Sequence, residues 1–197
     1  MNGLGAVILK GGNYMKVKDI VLAAAQSLGI YEGVAAYFEG TNGTLKREAE
    51  LLLSCFNRVE CSLALEYLPL YAEDELLTVT DRVDFSSFQY SPVRILSVED
   101  GEGNPVKYKL YPTFLKAQAG HCKVIYTYTP NEKGIEEDSD FTLLTGESMF
   151  VHGTLAEYCV AEGRFEEASI WEKKYKAEIE AAFRGRTCKR LSSRRWV

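Results

Sequence analysis

The sequence predicts an α+β fold: a mainly helical body of four main helices, with an antiparallel β insertion between the second and third helices. Three observations carry the prediction. Apolar residues recur at three- and four-residue steps in two stretches near the start, the mark of a buried helical face. The middle of the chain is instead rich in Val, Ile, Tyr, Thr and Phe and is punctuated by Gly and Pro, as short antiparallel strands are. Helical spacing then returns beyond Asp140. At 197 residues the chain has room for one domain with an insertion and is short for two.

The first helix is read from Lys16 to Leu28, where Val17, Ile20, Val21, Ala24 and Leu28 share a face and Gly29 supplies the stop. A loop rich in Gly and Tyr follows over 31–43. Leu45, Ala49, Leu52, Phe56, Val59 and Leu63 predict a long helix ending before Pro69, with Asn42 or Thr44 as its N-cap. These N-terminal helices occupy 15–72. Within the insertion, 73–131, strands are expected from Glu75 onward. Segments 92–98 and 106–111 flank the turn Asp100-Gly101-Glu102-Gly103-Asn104-Pro105 as a hairpin, and 123–129 is a further strand. Over 140–185 two helices form an antiparallel hairpin. Val151, Leu155, Tyr158 and Cys159 mark the first, Gly163 breaks it, and Phe165, Ala168, Trp171, Tyr175, Ile179 and Ala182 mark the second. That last stripe is expected to pack on the long helix over 45–68. Residues 186–197 form a basic tail.

Residues 1–14 are read as a leader outside the native protein. Lys10-Gly11-Gly12-Asn13-Tyr14-Met15 can be encoded by AAA GGA GGT AAT TAT ATG, a purine-rich bacterial ribosome-binding site before a start codon, which makes Met15 the expected start. Gly11-Gly12 is followed by Asn13-Tyr14, not by the Lys-Ser/Thr of a phosphate loop, and the segment is too short to span a bilayer.

Apolar residues at 46% and charged residues at 26% exclude the disordered and low-complexity classes. A net charge of −5 argues against a surface built throughout for nucleic acid. The five cysteines (Cys55, Cys61, Cys122, Cys159 and Cys188) lack Cys-x-x-Cys spacing and read as reduced thiols. Neither His121 nor His152 has a ligand-spaced partner, so no metal or cofactor is expected and no catalytic residue is assigned. The acidic run Glu132, Glu136, Glu137, Asp138 and Asp140 lacks the glycine and final glutamate of a calcium loop and reads as a solvated turn. The informative polar feature is the tail. Arg184, Arg186, Lys189, Arg190, Arg194 and Arg195 lie in the last fourteen positions with no acidic residue among them; the run reads either as a disordered solubilising end or, since Trp196 gives it an apolar terminus, as a docking arm.

A series of motifs then stands out: Tyr126-Thr127-Tyr128-Thr129-Pro130, Asp138-Ser139-Asp140, Gly153-Thr154-Leu155-Ala156-Glu157-Tyr158-Cys159, Gly163-Arg164-Phe165-Glu166-Glu167-Ala168 and Trp171-Glu172-Lys173-Lys174-Tyr175. With Leu28-Gly29 and Pro69-Leu70, the series resembles the head-to-tail connector proteins of tailed bacteriophages over roughly residues 15–183. The resemblance implies a structural virion subunit. It would form a ring of its own copies beneath the portal, contact portal and tail proteins, pass DNA without sequence-specific binding, and need no membrane, cofactor or catalysis. It places the protein at the head–tail junction, and in the bacterial cytoplasm before assembly. Tyr31, Tyr37, Phe38, Tyr67, Tyr71, Phe85, Phe88 and Tyr90 then offer aromatic surface for neighbours. The competing class is a cytosolic protein-binding module of bacterial or prophage origin that holds a partner on its β insertion.

Overall fold

The computed structural model describes residues 14–78, 81–117, 120–142 and 145–186. They divide into two compact units, one built from Tyr14–Val59 and the chain from Gly134 onward, the other from Glu60–Lys133.

The first unit holds the helices α1 (Val17–Ser27), α2 (Tyr31–Phe38), most of α3 (Lys46–Ser62), α4 (Glu147–Ala161) and α5 (Phe165–Arg186). In α1 the residues Val17, Ile20, Val21, Ala24 and Ala25 are buried, as their spacing requires. Gly29, at φ 74, ends the helix, and its N–H donates back to the Gln26 carbonyl. The side chain of Asn42 accepts the Thr44 N–H at 3.0 Å just ahead of α3. Along α3 the stripe Ala49, Leu52, Phe56 and Val59 is buried. The central helix is α4, with eight buried residues distributed around it. It packs on α1 and α5, and Gly153 lets Val59 of α3 approach it. A helix enclosed in this way is apolar on nearly all sides. β1 (Tyr14–Lys16) pairs antiparallel with a further strand, Asp138–Thr142, beside these helices.

After a short π-helical turn at Leu63–Tyr67, which continues α3, the second unit is built of strands with a 3-10 turn at Phe85–Ser87. β2 (Leu70–Thr78), β4 (Pro92–Asp100) and β7 (Gly120–Tyr128) form one antiparallel sheet in the order β2-β7-β4. β3 (Arg82–Asp84), β5 (Lys109–Leu110) and β6 (Phe114–Lys116) form a second in the order β3-β6-β5. The strand 138–142 is then β8. Val83 and Leu115 of the small sheet share one hydrophobic cluster with Ile95, Val98, Val124 and Tyr126 of the large one. The unit is therefore a sandwich, each sheet burying one side of its pleat.

This architecture corrects the expected mainly helical body of four helices. Among the described residues there are five α-helices and eight strands in three antiparallel sheets, about 48% helix and 26% strand. The added helix is α2, where Gly33 and the aromatic residues mask a spacing, Ile30-Val34-Tyr37-Phe38, that is helical. The added strands are two to five residues long, too short for periodicity to register, and exist because a distant partner completes their hydrogen bonds. One is part of the acidic run: Asp138–Thr142 is a strand with Ser139 and Phe141 buried. Strand structure also begins at Leu70, ahead of Glu75.

The packing of α5 differs too. Trp171 is half-buried and stacks on His152 of α4, ring centroids 5.5 Å apart, while Tyr175 of the same stripe reaches Gly153 beside Val59 of the long helix. Phe165 belongs to the predicted stripe but is exposed, while Ala168 and Ile179 are buried.

Candidate functional site

In the β unit, alternation along paired strands sends every second side chain outward. The register is uninterrupted over nine residues of β2 and β7, from Leu70 opposite Tyr128 to Thr78 opposite Gly120. Cys122, Val124, Tyr126 and Tyr128 point into the sandwich. His121, Lys123, Ile125 and Thr127 therefore share the outer face. β4 begins at Pro92, whose missing N–H is tolerated on an edge strand, and carries two irregularities of register.

The outer face of this large sheet is acidic. Glu75, Lys123 and Glu99 stand directly opposite one another across the three strands. Glu73, one pair further along, accepts from the Lys123 ammonium at 2.7 Å. Three carboxylates thus surround one lysine. The Glu73 hydrogen bond, with the charges of Glu73, Glu99 and Glu75, holds that ammonium above the usual lysine range, against a smaller opposing effect of burial. Tyr71 and Leu77, at 66% and 71% exposure, flank the acids on β2.

The outer face of the small sheet is basic and aromatic. Arg82, Lys116 and Lys109 are in register across β3, β6 and β5, all exposed. Arg82 bonds Asp84 at 2.5 Å and lies 4.1 Å from the centroid of Phe114, which stacks on Tyr111 at 4.4 Å. Lys109 and Lys116 are in no ion pair among the described residues. Like charges directly opposite on neighbouring strands are unfavourable, so the row is tolerated in the isolated unit, not stabilising. The turn that presents it is tight, closed by Tyr111 N–H to the Phe114 carbonyl at 2.9 Å.

A buried network sits between the two faces. Asp74, nearly fully buried, accepts through one oxygen from the Tyr126 hydroxyl and from the Gln89 N–H, both at 2.8 Å. Phe88 meets Tyr126 edge-on at 5.0 Å. The carboxylate thereby ties the 85–90 segment to the sheet interior. Burial, and then the bond to Asp74, push the Tyr126 phenol above its ordinary range, which keeps it a donor and not a nucleophile.

Of the residues singled out from sequence, Arg184 and Arg186 fall in the last turn of α5. Lys189, Arg190, Arg194, Arg195 and Trp196 lie outside the described residues, as do Cys188 and positions 1–13. His152 places Nδ1 3.1 Å from Oε2 of Glu178 on α5, joining the two helices. His121 is exposed on β7 opposite Leu77. In the acidic run, Asp138 pairs with Lys16 at 3.3 Å and Glu136 with Lys18 at 2.9 Å, so two of its carboxylates meet lysines. Cys55 and Cys159 are buried, and burial pushes the Cys55 thiol up to about 11, well away from thiolate chemistry. Among the predicted aromatic contacts Tyr31 and Tyr71 are exposed, whereas Phe88 is in the β core and Tyr90 stacks on Tyr128 at 4.1 Å.

Sequence reasoning misses the two charged rows. The available signal is charge alternation at a spacing of two, Glu73-x-Glu75 and Lys107-x-Lys109, within β-rich sequence. Among the described residues no group of three or more His, Cys, Asp or Glu is placed to hold a metal ion, and no helix is long and apolar enough to cross a membrane. Compared with known proteins, the chain matches no family model and no curated protein.

Proposed function

We propose that the chain is a structural subunit of a tailed-bacteriophage head-to-tail connector, docking as a ring beneath the portal and leaving a passage for DNA. One observation supports this reading above the others: the residues of the C-terminal motifs that resemble the connector family serve helix packing. Gly153 sits where α3 and α5 close on α4, Gly163 at φ 74 turns α4 into α5, and Trp171 stacks on His152. Motif residues used in this way suit a scaffold.

Charge is consistent with the same reading. Outside the last fourteen positions the chain carries 28 acidic against 17 basic residues, a net of −11, while those fourteen carry +6. An acidic body would not grip a passing duplex. An arginine-rich tail can make bidentate pairs with carboxylates of a portal, with Trp196 as an apolar anchor, and weak contacts repeated around a ring add up.

The test is sedimentation of the protein with portal rings. Full-length chain should attach, less so as salt rises, and removal of residues 186–197 should abolish attachment while leaving the melting temperature unchanged. Full attachment of the truncated chain at physiological salt would remove the tail from the contact. Failure of the full-length chain to attach would favour the cytosolic binding module.

A further inference from the structure

We propose that one copy of this chain joins the next through the β unit, the acidic outer face of the β2-β7-β4 sheet receiving the basic, aromatic outer face of the β3-β6-β5 sheet of the next copy. Three features of the sandwich lead there.

The first is complementarity on a single unit. Glu75 and Glu99 form a row with Lys123 between them, and Arg82, Lys116 and Lys109 form the other row. The basic row sets like charges directly opposite one another across strands, which costs free energy in an isolated copy, and the acidic row keeps a net negative charge around its single lysine. Laid together, Lys109 and Lys116 meet the carboxylates that Lys123 alone does not neutralise. The second is apolar surface beside both rows. Tyr71 and Leu77 are exposed next to the acids, and Tyr111, stacked on Phe114, next to the bases. The third is position. The two outer faces are opposite sides of one sandwich, so a contact between unlike faces leaves a free face at each end and repeats from copy to copy, as a ring requires.

Size sets the strength. The small sheet has strands of two and three residues, so one contact falls well below the roughly 800 Å² per partner of a stable interface. A single junction is weak and salt-sensitive, and gains from repetition. A nucleic-acid phosphate is the rival occupant of the basic face. It is disfavoured because Arg82 already spends its charge on Asp84 and because the chain is acidic as a whole.

The inference rests on the subunit reading, but its experiment contains no portal, so its failure leaves portal docking to be decided separately. Sedimentation of the full chain at low salt should show association that dissociates as salt rises. Lys109→Glu with Lys116→Glu should weaken it at least about tenfold, and so should Glu75→Lys with Glu99→Lys. Mixing the two charge-reversed proteins should restore it, a result that misfolding cannot produce. If the double lysine variant does not fold, judged by circular dichroism, Glu75→Gln with Glu99→Gln replaces it and should lose association without rescue. A wild-type chain that stays monomeric at every concentration, folded variants that associate like wild type, or mixtures that fail to recover overturn the proposal. So does a basic face that binds a short DNA duplex through Lys109 and Lys116 while self-association is unaffected by their reversal.

Discussion

Asp74 and Tyr126 show how one buried carboxylate sets the behaviour of its neighbour. An unfolded tyrosine ionises near 10, and in the sandwich burial and the Asp74 bond move Tyr126 higher. The folded chain therefore holds this proton more tightly than the unfolded one, so the contribution is complete below pH 10 and shrinks as the pH rises past it. Tyr126→Phe should cost about 1.5–3 kcal/mol at neutral pH, the worth of a buried hydrogen bond to a charged acceptor. Its gap from wild type should narrow above pH 10, measured by urea unfolding on either side of that value. A gap that stays constant or widens would show that the hydroxyl does not carry this linkage. Sequence shows Tyr126 in a strand but not its partner, because Asp74 is 52 positions away and only sheet register brings the two together.

Among the elements, α4 depends most on close approach. A Cβ on Gly153 would lie 2.7 Å from Val59 Cγ1 and 3.0 Å from the Tyr175 ring. Neither a branched stub nor a ring can bend aside. Gly153→Ala gains about 1 kcal/mol in helix propensity and loses about 1–3 kcal/mol to overpacking, so the steric side should win. The expected result is a lower melting temperature, and a higher one would mean that the helices slide apart freely. The long stripe of α3 is legible because its period is local, and so is the α4–α5 hairpin, with a glycine at its turn. The sheets are less legible. β5 and β6 are short stretches whose pairing depends on the turn at Pro112-Thr113, and β1 and β8 meet across more than 120 positions.

Across the whole molecule, charge is segregated at two levels. The tail opposes the body along the chain, which composition reveals directly. The two outer faces of the β unit oppose one another in space, which composition hides, since Lys109, Lys116, Glu75 and Glu99 cancel in any local count. Rows of this kind are fixed by register, and register here follows from the uninterrupted β2–β7 pairing and the irregularities in β4. The candidate tail site was readable for this reason, and the candidate sheet faces were not.

The pairing of Leu70 with Tyr128 has a consequence for the order of events in folding. The helical unit is made of two stretches of chain separated by the whole β unit, and its two halves must find each other across that gap. Joining ends through a flexible loop of this length costs about 3–4 kcal/mol in entropy. Once β2 and β7 zip, positions 70 and 128 lie side by side and the long tether becomes a short one. The sandwich then works as a clasp in time as well as in space. Weakening that pairing, for example with Val124→Ala, should slow the formation of helical signal in stopped-flow refolding. An unchanged rate, with stability reduced, would place strand pairing after the helices have met.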